Sequence, residues 1–131
     1  MIDVSVRVLI VDDMPAMRAI LRDMLEQIGF REISEAEDGD SAWQLVKQES
    51  ATGTSGFGLV ISDWNMPGMS GVDLLRSMRS FGTTRELPFL MITGEGDHDH
   101  LSEAMNAGAT DFVVKPFNVE QLAEKIESFS G

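Results

Sequence analysis

The sequence predicts an α/β fold built on one parallel sheet, and three observations carry that prediction. Short apolar runs alternate with amphipathic stretches five times along the 131 residues, the pattern of strands joined by helices. Four of those runs stop abruptly at side chains with chemistry to offer: Val8 to Val11 at Asp12-Asp13, Leu59 to Ser62 at Asp63, Phe89 to Ile92 at Thr93, and Phe112 to Val114 at Lys115. No internal repeat, low-complexity tract or linker breaks the alternation, so one domain over 1–131 is expected. If the strands are parallel, their C-terminal ends lie on one edge of the sheet, where ligands of open α/β folds bind.

Taken in order, Arg7 to Val11 is the first strand, and Pro15 opens a helix in whose first turn its missing N–H costs little. Met14, Met17, Ile20, Leu21, Met24, Leu25 and Ile28 recur at helical spacing and predict one core face, with Gly29 as the stop. Glu32 to Ala36 is a short second strand. Ser41 to Gln48 is a helix with Ala42, Leu45 and Val46 inward and Trp43 straddling the surface. Ala51 to Gly58 carries three glycines but leads from a helix into a strand, the wrong order for a phosphate-cradling loop, and is expected only to connect. Leu59 to Ser62 is the third strand, ending at Asp63, and Pro67-Gly68 then turns the chain. Ser70 caps a helix that buries Val72, Leu75 and Met78 and closes near Gly82. Pro88 to Ile92 is the fourth strand, and Thr93 to Gly96 connects it to a helix over Asp97 to Ala107. That helix is expected to be the loosest, because its apolar side holds only Leu101, Ala104, Met105 and Ala107. Thr110 to Val114 is the fifth strand. Asn118 with Gln121 forms a capping signal for a last helix that turns Val119, Leu122, Ala123 and Ile126 inward.

Composition narrows the function. With 22 acidic and 10 basic residues the formal net charge is −12, which repels phosphate backbones and anionic lipid and argues against nucleic acid or membrane as the partner. The absence of cysteine removes disulfides and thiolate metal sites. The first residues lack the length of a signal sequence or membrane span, so a cytoplasmic location is expected.

Asp12, Asp13 and Asp63 would repel one another if gathered at one strand edge; at about 4 Å and an effective dielectric near 20, each pair costs roughly 4 kcal/mol. A cation must share the site. A few hard oxygen ligands suit Mg²⁺ better than zinc or a calcium cage, and Lys115 supplies further positive charge. No cysteine, or serine or histidine with a base beside it, shares that edge, so the nucleophile is a carboxylate, with Asp63 the best placed. Thr93 can donate its hydroxyl to a phosphoryl oxygen and Lys115 can pair with another. Singly, such residues serve as helix caps, turn residues or solvated charges; their coincidence at four strand ends points to phosphoryl acceptance.

Those residues resemble the receiver domains of two-component response regulators, most of all the stand-alone CheY-like chemotaxis type. The resemblance covers essentially the whole chain through Val-Asp-Asp at 11–13, Ser-Asp-Trp-Asn-Met-Pro-Gly-Met-Ser-Gly at 62–71, Met-Ile-Thr at 91–93 and Val-Lys-Pro-Phe at 114–117. It implies a flavodoxin-like doubly wound sheet of five parallel strands in the order 2-1-3-4-5 with five helices, and Mg²⁺-dependent phosphorylation on Asp63. It further implies that Asp12 and Asp13 hold the ion, one through water, that Asn65 offers its main-chain carbonyl, and that Lys115-Pro116 is cis. The implied donors are a sensor histidine kinase, a phosphotransfer protein or small phosphodonors, and the domain catalyses its own phosphorylation and dephosphorylation. Asn65 and Glu95 resemble the pair that flanks the attacking water in fast-resetting regulators. Output follows from Thr93 moving toward the phosphoryl group while the aromatic at Phe112 turns inward. Chemotaxis regulators usually carry tyrosine there, and this chain has none, which puts a flagellar motor switch as downstream target in doubt.

Competing readings remain at this point. A monomeric switch that binds a downstream protein through its fourth and fifth helices competes with a phosphorelay shuttle or phosphate sink, and with a pseudo-receiver acting by constitutive contacts. An aspartate-based phosphatase of the haloacid dehalogenase type wants Asp-x-Asp after its first strand, whereas Asp63-Trp64-Asn65 follows the third. A flavodoxin-like electron carrier needs a hydroxyl-rich phosphate loop where Asp12-Asp13 stands. His98 and His100 stand two apart, which on a helix points the rings to different sides and argues for a solvated helix start, not a metal clip. Trp64 is expected partly exposed beside Asp63, and Met14 and Met17 next to the acid pair could double as a docking surface.

Overall fold

In the computed structural model, residues 3–51, 57–82, 84–94 and 98–130 are described. Five strands alternate with five helices: β1 (Val8–Val11), α1 (Pro15–Ile28), β2 (Ile33–Ala36), α2 (Gly39–Ala51), β3 (Leu59–Asp63), α3 (Gly71–Ser80), β4 (Phe89–Gly94), α4 (His98–Ala107), β5 (Asp111–Lys115) and α5 (Val119–Ser130). All pairings are parallel, in the order β2-β1-β3-β4-β5. β1, β3 and β4 are therefore flanked on both sides, and the unbroken apolar runs in their sequences reflect burial on both faces.

Alternation along each strand divides the core in two. Leu9, Val11, Val60, Phe89 and Met91 face one way and pack with Ala42 and Val46 of α2, Val72, Leu75 and Met78 of α3 and Ala104 of α4. Val8, Ile10, Leu59, Ile61, Leu90 and Ile92 face the other and pack with Leu21 and Leu25 of α1 and Leu122 and Ile126 of α5. The helix caps form as their sequences imply. Ser70 Oγ accepts the Asp73 N–H at 3.2 Å and Asp73 answers on the Ser70 N–H, a reciprocal capping box. Asn118 and Gln121 exchange the same pair of bonds at 2.8 and 2.9 Å, and α1 stops where the Gly29 N–H reaches the carbonyls of Leu25 and Glu26.

Several boundaries and depths differ from expectation. α2 starts earlier, at Gly39, because Asp38 acts ahead of it: its side chain accepts the Ser41 N–H at 2.7 Å and its carbonyl the Ala42 N–H. It also runs on to Ala51. The rest of the expected glycine-rich connection lies outside the described residues except Phe57, which is buried, and Gly58. Thr93 and Lys115 belong to β4 and β5 rather than to the turns after them. On α1 only Leu21 and Leu25 are buried, while Met14 is 57% and Ile20 49% exposed. Met14 is the cap residue ahead of the helix, beyond the reach of its buried face, and Ile20 stands about 100° around the helix from Leu21. On α4, Ala104 is buried but Met105 is 45% exposed. Among the described residues no helix is long and apolar enough to cross a membrane.

Candidate functional site

The C-terminal ends of β1, β3, β4 and β5 converge as the motif pattern requires. Register pairs Val11 with Ser62, Asp63 with Ile92 and Thr93 with Val114, so Asp12, Asp63, Thr93 and Lys115 emerge along one edge. Asp63 closes β3, and the next residue is pinned twice: the Trp64 N–H donates to the Ile92 carbonyl at 3.1 Å, and the Trp64 carbonyl accepts the Gly71 N–H at 3.0 Å. Between these anchors Gly68 takes a φ of 70°, the left-handed conformation that glycine reaches without strain. Gly71 is required for a different reason: a Cβ there would collide with the Asp63 carbonyl oxygen and press on the Met91 sulfur. α3 starts hard against the end of β3.

Asp12 is fully buried, Asp63 is 8% exposed and Thr93 1%, while Asp13 is exposed. One oxygen each from Asp12, Asp13 and Asp63 lies within 4.8 Å of the others. Lys115 Nζ sits 3.1 Å from Asp63 Oδ1. Asp12 Oδ1 accepts the Met14 N–H at 2.9 Å, but Asp12 Oδ2 and Thr93 Oγ1 are buried without a hydrogen-bond partner among the described residues. Burial pushes the Asp12 carboxyl above the usual carboxylate range; the Met14 N–H and Lys115 act against that shift, and the charges of Asp63 and Asp13 add to it.

Polar atoms buried without partners are rare in folded proteins, and two of them facing one edge mark a place built for a ligand. The donor set is hard oxygen, anionic and crowded, which fits a divalent cation such as Mg²⁺. Thr93 and Lys115 offer a hydroxyl donor and an ammonium to any anion that arrives beside Asp63.

Of the other residues singled out in the sequence, Asn65 is exposed and shares a shallow depression with Asp13, Met66, Pro67 and Ser70 at the mouth of the site. Glu95 lies outside the described residues. The Lys115–Pro116 bond is cis. Phe112 is half-buried, with Lys125 Nζ 5.0 Å from its ring centroid and 3.5 Å from Asp111 Oδ1. Trp64 corrects the expectation of partial exposure: only 7% of it is exposed, because it joins the core layer between the sheet and α2, α3 and α4, and the His100 ring lies flat on it with centroids 4.1 Å apart and planes 10° apart. His100 is accordingly half-buried and not part of a solvated helix start. Neither the stack nor the Gly71 contact is visible in local sequence pattern, since each joins segments that only the fold brings together.

A parallel sheet that gathers three carboxylates, a lysine and a buried threonine at its C-terminal edge defines an α/β protein equipped to handle a charged, oxygen-rich group. Residues 8–127 match the family model of the response regulator receiver domain, and the chain belongs to that family. It is 42% identical over 121 residues to a chemotaxis protein CheY of Pseudomonas aeruginosa, covering 92% of this chain and 93% of that protein. To CheY-3 of Vibrio cholerae it is 40% identical over 123 residues, 94% of this chain and 90% of the relative. The structure of Vibrio cholerae CheY4 superposes with a TM-score of 0.82 at 31% identity, over 95% of this chain and 98% of that one. Phosphorylation-dependent signalling with histidine kinases and downstream targets is general to the family, as is Mg²⁺ at an acidic cluster.

Proposed function

We propose that this protein is a phosphorylation-activated switch that accepts a phosphoryl group on Asp63 with Mg²⁺ and then binds a partner protein in chemotaxis. The observation that carries the reading is the Lys115–Asp63 contact at 3.1 Å beside carboxylate oxygens of Asp12, Asp13 and Asp63 within 4.8 Å of one another. Asp12, Asp13, Asp63 and the Asn65 main-chain carbonyl would hold the ion, which when bound would supply charge neutralisation for the incoming phosphoryl group. Asp63 attacks phosphorus; its carboxylate oxygen gains the bond to phosphorus as the donor's bond to phosphorus breaks and the donor leaves with the electron pair. Lys115, until then paired with Asp63, turns its charge to a phosphoryl oxygen, and Thr93 donates the hydroxyl that has no hydrogen-bond partner among the described residues. The acyl phosphate is hydrolysed later, which resets the switch.

The donor is a sensor histidine kinase or a phosphotransfer protein, the setting cytoplasmic and the protein monomeric. A flagellar motor switch is the output of the chemotaxis reading. Phe112 favours a second reading within the same chemistry: with no hydroxyl at that position, the chain serves as a phosphorelay shuttle or phosphate sink. Intact-protein mass spectrometry after incubation with acetyl phosphate, with and without Mg²⁺, tests the acceptor claim. The expected result is a metal-dependent gain of one phosphoryl group that Asp63→Asn abolishes. No gain under any condition would leave a pseudo-receiver.

A further inference from the structure

The residue after the acceptor is held from an unexpected direction. Trp64 is fixed at its backbone by Ile92 and Gly71, but its ring is covered by a side chain from α4, the parallel stack with His100 at 4.1 Å. At its far end α4 is held by the Arg79 side chain, which donates to the Gly108 carbonyl at 2.8 Å. Among its described side chains Ala104 is buried, Leu101 and Ala107 are half-buried, and Met105 points outward. The Arg76–Glu103 ion pair at 3.0 Å is exposed on both sides and adds little. A flat contact between two rings is therefore one of the contacts that fasten the first turn of α4, and it ties that turn to the residue after β3. α4 is also the first helix after β4, the strand that delivers Thr93.

We infer that His100 is a positioning residue for the chemistry at Asp63: stacked on Trp64, it ties α4 to the Asp63-Trp64-Asn65 turn, so that the placement of α4 and the lifetime of the phosphoryl group change together. The inference rests on Asp63 being the acceptor. Without the imidazole one face of the indole is uncovered, the turn loosens beside an acceptor that is otherwise 8% exposed, and water reaches the acyl phosphate more readily. The coupling is reciprocal for the equilibrium part of the effect: whatever phosphorylation does to the turn is felt at the start of α4.

The test uses a Trp43→Phe background, in which Trp64 is the sole tryptophan of a chain that has two. Into it are placed His100→Ala, which removes the stack, and His100→Phe, which keeps a planar ring. Trp64 emission reports the stack, intact mass after removal of acetyl phosphate reports the decay of the phosphoryl group, and a thermal melt reports folding. His100→Ala is expected to change Trp64 emission and shorten the phosphoryl lifetime about fivefold, the scale of one aromatic contact felt at the reacting turn. His100→Phe is expected to restore both while melting like its parent. An unchanged lifetime in His100→Ala, or unchanged emission, overturns the inference even if the melt shifts. A lifetime shortened equally in both variants overturns it too, because ring stacking is then not the cause. Absence of any phosphoryl gain in the His100-containing parent overturns the acceptor reading beneath it, a different and recognisable result.

Discussion

The interior of the sheet and its C-terminal edge follow opposite rules. Up to Val11, Ile61 and Ile92 the side chains of β1, β3 and β4 between the two helical layers are apolar and buried, and the strands bond to one another along their length. Within the next two residues of each strand, Asp12, Ser62, Asp63 and Thr93 are buried but polar, with two oxygen atoms, Asp12 Oδ2 and Thr93 Oγ1, lacking any hydrogen-bond partner among the described residues. Local consistency is what makes a chain fold, and departures from it concentrate where function demands them. The interior is built for stability, and the proposed function assigns the edge to a cation and a phosphoryl group. Substitutions should therefore separate the two regions.

The largest effect is expected at Lys115. Lys115→Ala removes the cation 3.1 Å from Asp63, and the rate of phosphoryl gain from acetyl phosphate should fall about 100-fold, the scale for losing one preorganised charge partner. The melting curve should still show one cooperative transition. Gly71→Ala reaches across both regions. Its Cβ collides with the Asp63 carbonyl, so the protein should lose about 2 kcal/mol in urea unfolding, as overpacking at a backbone contact does, and phosphoryl gain should slow with it.

Asp12→Asn moves the two regions in opposite directions. It removes a buried charge with like charges nearby, and the metal-free protein should gain about 1 kcal/mol, seen as a melting point higher by about 4 °C, while Mg²⁺ no longer stabilises it. The pH dependence carries the sign. Asp12 holds its proton to a higher pH folded than unfolded, so its contribution to stability is fully present below the ordinary carboxylate pKa and is lost as pH rises through the raised folded value. Asp12→Asn should flatten that segment of the metal-free stability curve. The smallest effect belongs to the surface. Glu35 is pulled below the usual range, first by the Arg22 hydrogen bond, and Arg18 adds to the shift against a desolvation that opposes it. Its contribution is present above the ordinary glutamate pKa and lost as pH falls through the lowered folded value. Glu35→Gln should cost about 0.5 kcal/mol near neutral pH, with phosphoryl gain unaffected.

Legibility in the sequence follows the same division. The strands and their order of appearance could be read because burial on both faces leaves uninterrupted apolar runs, and the caps at Ser70 and Asn118 because their bonds are local. The edge residues could be read because each stands where an apolar run stops. Depth was harder: Met14, Ile20 and Met105 share helical spacing with core residues, and spacing does not say how near a helix axis lies to the sheet. The early start of α2 is not legible because Asp38 caps ahead of Gly39, a residue that by propensity marks a boundary. The burial of Trp64 is not legible in local pattern, because it depends on a core layer and a His100 ring that only the fold brings to it.

Reductive trapping addresses the role of Asp63 most directly. An acyl phosphate is reduced by borohydride to an alcohol, which converts the phosphorylated aspartate into homoserine and marks its position in a peptide mass spectrum. After incubation with acetyl phosphate and Mg²⁺, homoserine is expected at position 63 and nowhere else. Homoserine at position 12 or 13, or none in a protein that has gained a phosphoryl group, would contradict Asp63 as the acceptor.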